Sequence, residues 1–128
     1  MPIVVTRDDE QRRVTVMVSD PWSVEEVAVV SERQVTAGTW RYGTLYDLRG
    51  STWVPSEPDM LWLVQRGQQL AARNGARGPV AVLIDADAPA QVAQRYAQHG
   101  RRRSEESVQI FRVEAEALQW LSAQPVAG

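Results

Sequence analysis

Apolar and polar positions along the chain change period several times, and each change marks an element. The run 3–6 is β-branched and apolar, and a polar stretch, Arg7-Asp8-Asp9-Glu10-Gln11, follows it. Val14, Val16 and Val18 then alternate with Thr15 and Met17, a period of two that predicts a strand with one strongly apolar face. These two strands are expected to pair as an antiparallel hairpin. Ser23-Val24-Glu25-Glu26 has the form of a capping box, in which the serine oxygen accepts from the amide three residues on and the glutamate reaches back. It opens a helix with Val24, Val27, Ala28 and Val35 inward, closed near Gly38. Residues 45–50 read as a short central strand and a turn. Ser56, with Asp59 three residues later and Pro58 in the first turn, caps a second helix. That helix runs to about Asn74 and stops at Gly75. Met60, Leu63, Val64, Gly67, Leu70 and Ala71 share one of its faces.

The run 79–84 is continuously apolar, the pattern of a parallel strand buried on both sides. A third helix is expected from Asp87 or Ala88 through Tyr96, ending near Gly100. Val108, Ile110 and Phe111 form the last strand, and Ala117, Leu118 and Leu121 anchor a terminal helix before Pro125. The order is ββαβαβαβα. Short connections and right-handed crossovers turn this order into an α/β fold: one domain over residues 1–128, with a five-stranded, mostly parallel sheet and one antiparallel edge strand.

Composition removes several chemistries. The chain has no cysteine, which excludes disulfides, thiolate metal sites and a cysteine nucleophile. All 14 basic residues are arginine, so neither a Schiff base nor the phosphate-binding lysine of a P-loop is available. A net charge of −2 provides no overall basic field for nucleic acid. The first residues lack the pattern of a signal peptide, and no apolar run approaches the ~20 residues that span a bilayer. A cytoplasmic protein without membrane insertion is expected.

The string Leu45-Tyr46-Asp47-Leu48-Arg49-Gly50-Ser51-Thr52, followed by a capped helix, resembles the "YDLRG-T" signature of small bacterial SpoIIAA-like proteins, in the STAS and CRAL-TRIO fold superfamily. Ala93-Gln94-Arg95-Tyr96 stands where that family has an "ARMY"-like helix. Val108-Gln109-Ile110-Phe111-Arg112, then Glu116-Ala117-Leu118-Gln119-Trp120-Leu121, is similar to its ending. The resemblance covers nearly the whole chain and implies a (βα) superhelix with strands in sequential order. Its best-understood members are anti-sigma-factor antagonists, which bind a partner kinase and are switched by phosphorylation of a serine at the cap after the central strand. Here that stretch is Pro55-Ser56-Glu57-Pro58. Ser56 remains as a cap, and the acceptor serine aligns with Glu57. A sequential superhelix puts its helices mainly on one side of the sheet. The other face then carries Thr15, Met17, Gln109 and Phe111, and a homodimer through that face or an edge strand is expected.

No residue set has the form of a catalytic centre, and no cofactor motif is present. His99, the single histidine, stands beside Gly100 without a nucleophile-elbow serine anywhere in the chain. A cation there suits a helix C-terminus. Asp85 and Asp87 follow a strand, where they either bind magnesium or cap the next helix. Arg41, Arg73, Arg77, Arg101, Arg102 and Arg103 all precede strands and so share one pole. Asp20, Glu25, Glu26, Glu57, Asp59, Asp85 and Asp87 share the other. Helix macrodipoles account for this split, and docking of an acidic or phosphorylated partner on the arginines is the functional alternative. The chain has five tryptophans and one phenylalanine. Trp62 lies off the apolar stripe of its helix, and Trp53 lies in the loop before it. Such tryptophans either anchor interfaces or pack under loops.

Three functions follow. The first is a non-enzymatic interaction or regulatory module of STAS-like type, with Ser51, Thr52, Trp53, Ser56 and Trp62 facing a protein partner. The second is a binder of an apolar or acyl small molecule at a helix–sheet seam of Tyr46, Met60 and Tyr96. The last is a metal enzyme using Asp85 and Asp87.

Overall fold

The alternating valines become strand β2 (Arg13–Ser19), with Val14, Val16 and Val18 buried and Val16 at 0% exposure. β1 (Ile3–Asp8) pairs with it antiparallel, Val5 opposite Val16. A computed structural model describes residues 3–85, 87, 91, 94 and 108–124. In it β3 (Gly43–Gly50), β4 (Val80–Leu83) and β5 (Val108–Phe111) join in parallel, so the sheet order is β1-β2-β3-β4-β5. This is the expected α/β sheet with one antiparallel edge strand. The helix expected over 87–96 falls largely outside the described residues, as do His99 and Arg101, Arg102 and Arg103.

Local chemistry sets the ends of the helices. In α1 (Val24–Ala37) the Ser23 hydroxyl accepts from the Glu26 amide at 3.3 Å and donates to the Glu26 carboxylate at 3.2 Å. Such a cap stabilises a helix by about 1 kcal/mol. Gly38 ends α1 with φ of 78°, a left-handed conformation that favours glycine. In α2 (Glu57–Asn74) the Ser56 hydroxyl accepts from the Asp59 amide at 3.2 Å. Gly78, which leads into β4, is required by space. A Cβ there would lie 2.3 Å from the Arg41 carbonyl oxygen.

Two cores result, one on each side of the sheet. The larger holds Val14, Val16, Tyr46, Val80, Val82 and Val108 with Val30 of α1, and α2 packs alongside α1. The smaller holds Leu45, Ala81 and Leu83 against Ala117 and Leu121 of α3 (Glu114–Ala123). The helices α1 and α2 share one side, as expected, but the expectation of an open second face is corrected. The chain turns back after β5, and α3 lies over the second face because Ala81 and Leu83, both at 0% exposure, need an apolar cover there. Phe111, expected on an open face, is half-buried with its ring 5.8 Å from that of Trp120. Met17 and Gln109 stay exposed, Met17 at 53%.

Leu83→Ala is expected to cost about 3 kcal/mol, because the site is closed on all sides by strand neighbours and α3 and cannot collapse. Urea unfolding of the two proteins checks this.

Candidate functional site

Parallel strands put the loops that follow them at one pole, where α/β sheets commonly bind their ligands. Beside that pole the pairing of β2 with β3 shifts register: Met17 lies opposite Asp47, but Ser19 lies opposite Gly50. Irregularities of this kind re-aim the chain. Just beyond it, Asp20 joins the loop after β2 to the loop after β3. One carboxylate oxygen accepts from the Ser51 hydroxyl at 3.0 Å and the Trp53 amide at 3.2 Å. The other accepts from the Thr52 amide at 2.8 Å and the Thr52 hydroxyl at 2.6 Å. The Ser51 oxygen in turn accepts from the Trp22 indole N–H at 2.6 Å. Edge-to-face packing of Trp22 on Trp53, with centroids 4.8 Å apart, completes the assembly. Hydrogen bonds from Thr52, and then from Trp53 and Ser51, hold the Asp20 carboxyl down at about 2 from an ordinary 3.8.

Residues 46–49 divide by alternation. Tyr46 and Leu48 point to the α1/α2 side and line a half-open cavity of about 110 Å³. Val27 and Ala28 of α1, Met60, Leu63 and Gly67 of α2, and Val80 and Val82 of β4 form its walls, with Trp22, Trp53 and Pro55 at the loop end. Asp47 and Arg49 point to the other face. There the guanidinium grips the carboxylate in two places, at 3.0 and 2.8 Å, and holds the Asp47 carboxyl below its ordinary range. Arg49 also approaches Glu114 of α3 at 3.9 Å.

Of the residues expected in a partner-facing loop, Thr52 and Ser56 are exposed, Trp53 is 38% exposed and Trp62 is 42% exposed on the outer side of α2. Ser51 is buried and acts as a tie between Asp20 and Trp22. In the seam, Tyr46 and Met60 line the same cavity, and Tyr96 lies outside the described residues. The arginine pole divides. Arg41 and Arg73 are exposed, whereas Arg77 turns inward. Its guanidinium lies 5.2 Å from the ring centre of the buried Trp40 and 5.9 Å from that of Tyr46. It donates to the Gln34 side chain and, at 3.2 Å, to the Tyr46 hydroxyl. Asp85 and Asp87 are exposed, and Asp87 pairs with Arg112 at 2.7 Å. Asp20 is the residue that sequence reasoning missed, since the pattern of charges places it only among the acids of its pole. The available signal is its position directly after a strand adjacent to the one that carries the 51–53 loop.

The fold and this loop pole define a layered α/β protein of sequential strand order. A protein called TM1081, whose structure was solved by NMR, is similar to it with a TM-score of 0.59 and 11% sequence identity, over 94% of this chain and 88% of the other. At that identity the likeness concerns the fold alone. No protein-family model and no curated protein matches the chain. Among the described residues no helix is long and apolar enough to cross a membrane.

Because the folded state holds the Asp20 carboxyl below its ordinary value, ionised Asp20 stabilises the fold above about 3.8, and the contribution disappears as the pH falls through about 2. Asp20→Asn is therefore expected to be less stable than the parent near neutral pH. The gap should close at the acid end of a series of urea unfolding curves.

Proposed function

We propose that the chain is a non-enzymatic interaction module of STAS-like type whose recognition surface is the loop after β3. One observation carries this reading. The Asp20 carboxylate fixes residues 51–53 through four hydrogen bonds while Trp53 keeps 38% of its surface in water. A loop held this way loses little freedom on binding, which favours affinity. A large aromatic on such a loop is the type of residue that dominates protein interfaces. The YDLRG-like stretch supports the same reading from the sequence side. Its Tyr46 and Leu48 face the helices, and its Asp47 and Arg49 lock the opposite side, so the strand end has little latitude.

A serine phosphoswitch does not suit this loop. Glu57 occupies the acceptor position, and the Ser56 hydroxyl already accepts from the Asp59 amide as a helix cap.

Affinity capture with the whole chain, followed by binding measurements on the partner recovered, tests the reading. Trp53→Ala is expected to weaken that binding by about 30-fold, the effect of losing an interface anchor of about 2 kcal/mol. Asp20→Asn should weaken it less, through loss of loop order. A partner held equally well by parent and Trp53→Ala would count against the loop as the recognition surface.

A further inference from the structure

We propose that the cavity between α1, α2 and the sheet is a binding site for a small uncharged ring compound, and that Gly67 keeps it open. The site does not depend on the recognition loop acting on a protein partner. Its volume of about 110 Å³ is far above what a single water needs and close to the roughly 150 Å³ of apolar cavities that take up benzene. The walls are mainly carbon: Met60, Leu63, Leu70, Val80 and Val82, with the Tyr46 ring at the side. A flat ring finds aromatic partners there in Tyr46, Trp22 and Trp53, and aromatic pairs add attraction beyond area burial.

The charges at the margin select against an ionic guest. Arg66 lines the cavity but is paired with Glu32. Arg77 lines it too, and its guanidinium is engaged with Gln34 and Tyr46 and stacks near Trp40. A charged guest would lose its hydration without displacing weak contacts, whereas an uncharged one has little hydration to lose.

Gly67 is the independent observation. It sits in the interior of α2, where glycine weakens a helix relative to alanine. Neither a positive φ nor a close neighbour explains it, because a Cβ at this position would meet nothing within 4 Å. Gly67 also forms part of the cavity wall, so the space left by its missing side chain adjoins the cavity. The missing side chain costs the helix stability and leaves volume for an occupant.

The test uses the whole chain with toluene, phenol and benzoate as probes, read by thermal unfolding and by the NMR signals of the Trp22 and Trp53 indole N–H groups. Toluene and phenol are expected to raise the melting temperature and move both signals, and benzoate at equal concentration is not. Gly67→Ala is expected to melt about 4 °C higher than the parent yet bind phenol several-fold more weakly. Gly67→Leu should lose binding. Absence of any response to toluene and phenol would overturn the proposal, as would tighter binding of benzoate. An unchanged phenol affinity in Gly67→Ala, or a lowered melting temperature of that variant on its own, would overturn the role given to Gly67. The alanine variant keeps this test valid even if the leucine variant does not fold.

Discussion

Everything in this fold depends on strands β3 and β4 being dry on both sides. Val80 and Val82 face α1 and α2, and Ala81 and Leu83 face α3. A sheet with an apolar stripe on each face has to be covered twice: the crossover helices α1 and α2 cover one face of the parallel strands, and the terminal helix α3 covers the other. Those crossovers leave the β2 and β3 loops side by side at one pole. The position of the Asp20 clamp is thus a consequence of topology, and only its chemistry is local. The carboxylate meets two amides and two hydroxyls because one loop ends where its neighbour begins.

The elements themselves are legible in the sequence. Three valines at period two can bury only one face of a strand, and a six-residue apolar run bounded by a glycine and an aspartate is too short for a core helix. The serine caps at Ser23 and Ser56 act in the structure through the contacts that their spacing implies. The off-stripe position of Trp62 announces its exposure, since helical period alone decides which side of α2 a residue takes.

What stays hidden is the set of relations across the sheet. The period of Ala117 and Leu121 marks an apolar face, but nothing local says which side of the sheet it covers. Arg77 follows the glycine stop of a helix, where an arginine ordinarily reaches into water. It turns inward because Trp40 and Tyr46, distant in sequence, offer ring faces, and Gln34 offers an oxygen. Asp20 escapes for the same reason. A loop carboxylate looks solvated until its partners, more than thirty residues away, are placed next to it.

The two features at this pole share a boundary, and that sharing has a physical consequence. Trp22 and Trp53 belong both to the hydrogen-bonded loop assembly and to the mouth of the cavity. Gly67 and the two rings that Asp20 and Ser51 hold in place thus line one cavity. The same two side chains therefore enter both the packing of the cavity mouth and the order of the loop. A loop that presents an aromatic to the outside and a cavity that accepts one from the inside are thus two sides of one wall, with the Asp20 carboxylate as its fixed point.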